Sequence, residues 1–183
     1  MTALIVVLVL VVLLAGYAIL TYNGLVGARN KVDNAWAQID VQLKRRHDLI
    51  PNLVETVKGY ATHEKETLER VVQARNATLS ATGPAEQAQA ENMLSGALKS
   101  LFALAEAYPD LKANQNFLNL QEELTGTEGR IAYARQFYND SVYKYNTKIQ
   151  SFPANVIAGR FGFAPREFFN TDDAERGPVT VQF

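Results

Sequence analysis

The chain has 183 residues, a formal net charge of -1 and a pI of about 6.1. That balance gives no electrostatic reason to expect a nucleic-acid partner. With no cysteine, disulfides, thiolate nucleophiles and cysteine-based metal sites are excluded. The length allows one modest domain beside an anchor, and a mean hydropathy of -0.11 averages a very apolar start with a polar remainder.

Residues 1–22 form the predicted transmembrane anchor. Leu4 to Leu20 reads LIVVLVLVVLLAGYAIL, seventeen residues without a charge. A spanning helix takes roughly 20 predominantly apolar residues, with about 17 as the lower limit. Ala3 and Thr21 extend the run, and Tyr17 and Tyr22 fall near its end, where amphipathic rings favour the headgroup layer. A cleaved signal peptide would want a basic n-region and a shorter apolar core. A buried core helix would not be apolar all round for this length. Only the α-amino group precedes the run, whereas Arg29, Lys31, Lys44, Arg45 and Arg46 follow it. The positive-inside rule therefore predicts a single-pass protein of the inner (cytoplasmic) membrane, with Met1 outside and the body in the cytoplasm.

The expectation for residues 23–151 is an all-α, antiparallel long-helix bundle of coiled-coil-like character. Gly24 and Gly27 mark either a soft joint or a continuous helix that tolerates two glycines. From Val32 the apolar residues follow a 4-3 spacing through Trp36, Ile39 and Leu43, then Ile50, Leu53, Val57, Tyr60, Leu68 and Val71. This predicts one helix over about 25–81. Pro51 removes a helical hydrogen bond. The apolar register survives it, so a kink is expected, with a restart capped by Asp48 as the alternative. SATGP at 80–84 is a stop and turn. A second helix is predicted over about 85–107, with Leu94, Leu98, Leu101, Ala105 and Tyr108 on one side. A third, capped by Asp110 or Asn114, is predicted over about 111–151, with a stripe from Phe117 and Leu124 to Tyr138, Tyr145 and Ile149. No stretch alternates with period two, so no sheet is predicted.

Residues 152–183 read as an irregular, phenylalanine-rich segment. A short helix is predicted over 154–160, an exposed loop over 172–177 and an extended strip at PVTVQF. Phe152, Phe161, Phe163, Phe168 and Phe169 are too many to leave in water and are expected to dock on the bundle or on a partner.

Motifs for chemistry are missing. His63-Glu64 starts like HExxH, but Thr67 stands where the second histidine belongs. His47 lies 16 residues upstream, about 24 Å away along a helix. Both histidines therefore read as solvated, and no metal site is predicted. No nucleophile elbow, GxGxxG or P-loop occurs. No catalytic residue and no cofactor are predicted. Continuing the 4-3 count puts Arg46 and Glu64 on the seam, and Glu128, Arg130 and Arg135 near the third helix's stripe. Arg46 and Glu64 read as register-fixing polar residues if buried, or as side chains that snorkel to water.

YNGLVGARNKVDNAWAQIDVQLKRRHDLIPNLVETVKGYATHE at 22–64 closely resembles the LemA family of bacterial membrane proteins. So do YPDLKANQNFLNLQEELTGTEGRIAYARQFYNDSVYKYN at 108–146 and FPANVIAGRFGF at 152–163. The resemblance covers nearly all of the chain after the anchor. Gly129 departs from the polar residue expected there. The resemblance implies one N-terminal transmembrane helix, a short extracytoplasmic N-terminus and a cytoplasmic antiparallel helical bundle. It implies no agreed activity and no established catalytic residues.

The functional expectation is a non-enzymatic, membrane-anchored scaffold or interaction module. In a three-helix, up-down-up bundle Val32, Trp36, Ile39 and Leu43 would lack an intramolecular partner, so this seam is predicted to drive homo-oligomerisation. A fold-back at Pro51 into a self-contained four-helix bundle is the competing expectation. The alternative function is an adaptor or regulator of a membrane quality-control protease or secretion machine, with a membrane protein partner.

Overall fold

The computed structural model describes residues 1–170. The loop expected at 172–177 and the strip at PVTVQF lie outside them. The described residues form six helices and no strand. These are α1 Thr2–Lys58, α2 Lys65–Ser80, α3 Gly83–Ala105, α4 Pro109–Lys112, α5 Gln115–Gln150 and α6 Ala154–Arg160. The chain divides into two compact units. One comprises residues 1–38 and 136–167; the other comprises 39–135 and the stretch from Phe168.

The helix expected over 25–81 is two helices, and it breaks at Gly59–Glu64 rather than at Pro51. Gly59 lowers helix propensity, and Thr62 and His63 add little to it. Tyr60 and Ala61 both turn their N–H groups to the Val57 carbonyl, which closes α1. Pro51 stays inside α1. A proline at this position leaves the His47 carbonyl without its helical donor. Arg75 of α2 supplies the missing bond, its Nε donating to the His47 oxygen at 3.0 Å. The proline is thus accommodated by a side chain 28 residues away in sequence. No joint forms at Gly24 or Gly27, since α1 runs through both.

The larger unit is a four-helix, up-down-up-down bundle. Val54 of α1 and Leu68 of α2 line one groove, while Arg75 reaches His47, so α2 runs back along α1. A two-residue link then reverses the chain into α3. There Glu86 accepts both the backbone N–H and the hydroxyl of Thr82, each at 3.0 Å. These two bonds hold its carboxyl below the usual range. α3 begins and ends two residues before its expected bounds. The single turn α4 leads to Asn114, whose Oδ1 accepts the Phe117 N–H at 3.0 Å. Asn114, rather than Asp110, caps α5. Leu53, Val57, Val71, Leu94, Leu101, Leu111 and Phe117 are among the side chains fully enclosed in this core. Each buried leucine or phenylalanine contributes about 1.5–3 kcal/mol.

The smaller unit pairs the first part of α1 with the last part of α5, antiparallel. Trp36 and Tyr138 meet at a ring distance of 5.4 Å, and the Lys31 ammonium lies 5.6 Å from the Phe137 ring centre. Leu25, Val32, Ala35, Val142, Tyr145 and Phe163 are buried here. The chain beyond α6 is tied down through its backbone. Tyr138 donates to the Glu167 carbonyl at 2.8 Å and Tyr145 to that of Ala164 at 3.1 Å. Asn146 exchanges two 2.8 Å bonds with the Arg166 backbone. Burial pushes the Tyr138 hydroxyl up to about 12, so it remains a donor throughout the physiological range. The helix expected at 154–160 is α6.

Candidate functional site: membrane anchor and buried charge network

Leu4 to Leu14 expose about half to three quarters of their surface. The most apolar 18-residue window of α1 has a mean hydropathy of 3.1, with none of it buried. A soluble protein does not leave a cylinder of leucine and valine in water, because the apolar area involved far exceeds any ordinary surface patch. The run from Leu4 to Leu20 is a membrane anchor.

The predicted seam residues are covered by their own chain. Val32 is 2 % exposed, Ile39 0 % and Leu43 3 %; Trp36 is half-buried against Tyr138. The expected three-helix path is corrected. The break at Gly59–Glu64 turns α2 back, so the chain makes four passes instead of three and α5 returns along α1. The unpartnered stripe that motivated self-association through these four residues is therefore absent from the fold.

Of the two polar seam positions, Arg46 is buried and Glu64 is not on a seam. Arg46 is 2 % exposed. Its Nη1 donates to Glu91 Oε2 at 3.1 Å, and its Nη2 lies 2.7 Å from Ser95 Oγ and 2.8 Å from Glu128 Oε2. Glu91 is itself 4 % exposed. Its Oε1 meets His47 Nε2 at 2.7 Å and accepts from Gln87 at 3.2 Å. One carboxylate on α3 thus holds Arg46 and His47, presented by consecutive positions of α1, and Glu128 of α5 completes the set. Each Glu91 oxygen has a hydrogen-bond partner, and the arrangement fixes the register of α1, α3 and α5. The expectation that His47 is solvated is corrected: it is buried, whereas His63 is exposed. Glu64 sits at the start of α2, where its Oε1 accepts the Tyr108 hydroxyl at 2.9 Å. That bond raises the Tyr108 pKa and ties the α1–α2 break to the end of α3. Glu91 escaped the sequence reading, although it stands three residues before Leu94 on the stripe Leu94, Leu98, Leu101.

The tail phenylalanines divide. Phe163 and Phe169 are buried and Phe168 is half-buried, but Phe152 is 83 % and Phe161 61 % exposed. The surface also carries an open groove of about 740 Å³ between the end of α1 and α2, floored by Val54, Leu68 and Val72 and edged by Glu55, Lys58, Lys65 and Glu69.

Comparison with known proteins matches residues 35–183 to the model of the LemA family. The chain belongs to the LemA family. The Protein LemA of Metamycoplasma hominis is 30% identical, over 86% of this chain and 72% of its own. Magnetosome protein MamQ 2 of Paramagnetospirillum magneticum is 26% identical over 88% of this chain and 69% of its own length. Magnetosome protein MamQ of Magnetospirillum gryphiswaldense is 25% identical, with the same coverage. The family match begins at Ala35, beyond the anchor. It takes in the charge network, the α1–α2 break and the aromatic tail. This LemA-family chain is therefore a membrane protein with an all-α body.

Proposed function

We propose that this LemA-family protein is a non-enzymatic, membrane-anchored scaffold or interaction module. It acts at the inner face of the bacterial cytoplasmic membrane and associates with further copies of itself in the plane of that membrane. The observation that carries this reading is α1, in which a fully exposed apolar span and one wall of a closed helical core belong to a single helix. An anchor of this kind concentrates identical bodies on one surface, which raises their effective concentration without any new contact. The charge network supports a structural use of the buried polar groups. Arg29 and Lys31 directly after the span support a cytoplasmic body.

Self-association on this reading uses outer surfaces, not the covered stripe. Capture through a tag on one copy, from gently solubilised membranes, is expected to retain untagged copies of the same chain. A cysteine replacing Ile39, the only thiol in the chain, is expected to give no cross-link between copies. Recovery of a stoichiometric foreign membrane protein without self-copies would favour the adaptor reading. Recovery of neither overturns both. The groove floored by Val54, Leu68 and Val72 favours the adaptor as the second reading, since it is apolar and open.

A further inference from the structure

We propose that residues 152–161 form a second, interfacial membrane contact beside the anchor, docking on bilayers that carry anionic headgroups. The inference rests on the anchor and not on the scaffold reading.

The argument starts from register in the smaller unit. Trp36 lies against Tyr138. Further along, Lys148 lies over Gly24, so closely that a Cβ there would come within 2.6 Å of its Nζ. Carrying the same antiparallel register to Gln150, where α5 ends, places that end opposite about Tyr22, two residues past the last apolar residue of the span. α6 then folds back on this level. The Phe161 and Phe163 rings meet Tyr22 edge-on at 4.9 and 5.7 Å. α6 ends in a Schellman motif: Gly162 takes φ +70° and the Phe163 N–H bonds the Ala158 carbonyl at 3.0 Å. That reversal sends Phe163 inward, where the Arg29 guanidinium sits 5.3 Å from its ring centre.

Phe152, Val156 and Phe161 remain outward, 83 %, 64 % and 61 % exposed. Phe161 packs on Tyr22 at the end of the span, and Phe152 and Val156 belong to the same short segment that begins where α5 ends. Aromatic rings favour the headgroup boundary, and short amphipathic segments bury their apolar side there. The charge is one-sided as well. Residues 1–32 and 141–165 contain Arg29, Lys31, Lys144, Lys148 and Arg160 and no aspartate or glutamate. Asp33 and Asp140 flank these stretches, and the cations closer to the span attract anionic lipid.

The test uses the full chain in vesicles, with single cysteines carrying an environment-sensitive fluorophore at Phe152, Val156 or Phe161, and at the exposed Asp140 as a reference. Asp140 lies 12 residues before Phe152, about 18 Å away along α5. In vesicles of phosphatidylcholine with phosphatidylglycerol, the three tail probes are expected to show blue-shifted emission. Spin-labelled lipids should quench them several-fold more strongly than the probe at 140. The shift should shrink in phosphatidylcholine alone, and in the pair Lys148→Ala, Arg160→Ala. Tail probes as water-exposed as the probe at 140 overturn the contact. A blue shift without lipid quenching also overturns it and assigns the patch to a second copy. Quenching that is equal in neutral and anionic vesicles overturns the headgroup assignment. Anchoring through Leu4–Leu20 survives every one of these outcomes, and so does the capture experiment.

Discussion

Replacing Glu91 with alanine is expected to destabilise the bundle by about 3–5 kcal/mol, the cost of leaving a buried ion partner without its counter-charge. Arg46 and His47 are 2 % and 7 % exposed and meet on this one carboxylate. Removing it strands two polar groups in a space that water does not reach. Arg46 keeps Ser95 and the half-exposed Glu128, so part of the loss is offset there, while His47 loses its bond to Glu91 Oε1. Against a typical total stability of about 5–15 kcal/mol, the variant should unfold at far lower denaturant than the parent. Denaturation of the full chain in mild detergent, followed by helical circular dichroism, measures the change. A companion with Arg46→Met and Glu91→Leu should recover most of the stability, because well-packed apolar residues replace a buried pair at little cost. An unchanged midpoint for Glu91→Ala would show that the pair is open to water.

Leu124→Asp should be worse still. Leu124 is 3 % exposed in the core shared with Ile50, Leu53, Leu98 and Leu101. An aspartate there must either ionise without a partner or stay protonated in an apolar surrounding. A loss of more than about 4 kcal/mol is expected, enough to unfold the bundle while the anchor stays helical in detergent. Leu124→Ala gives the graded comparison, at about 2–5 kcal/mol for transfer plus cavity. Equal stability of the aspartate variant and the parent would place Leu124 on the surface.

Much of this architecture was legible because its signals are local. Leu4 to Leu20 needs no tertiary context, and neither do the turn at SATGP or the helix at 154–160. The buried faces of α3 and α5 follow from their periodicity. The break at Gly59–Glu64 was masked because the 4-3 count can be carried across it. Its one trace was the gap between Tyr60 and Leu68, which put Glu64 on a supposed seam. Pro51 misled in the opposite sense. It looked like the weak point of α1, but the donor that replaces its missing N–H is Arg75, on another helix. The covering of Val32, Trp36, Ile39 and Leu43 depends on the number of passes the chain makes, and one missed break changes that number from four to three. Arg46 was recognisable from its seam position. Its partner Glu91 is not legible, since a carboxylate on an apolar stripe reads as a surface residue until the facing helix is known. His47 reads as solvated from its distance to His63, and only the facing α3 shows it buried.

The proposed placement puts the helical body at the inner face of the membrane, held there by Leu4–Leu20. Protease protection of a tag placed after Phe183 tests it most directly. The tag should be protected in intact spheroplasts and digested in inverted membrane vesicles, with the anchor fragment resisting alkaline extraction in both. A tag digested in intact spheroplasts, or a chain released from the membrane by alkaline extraction, would contradict the account.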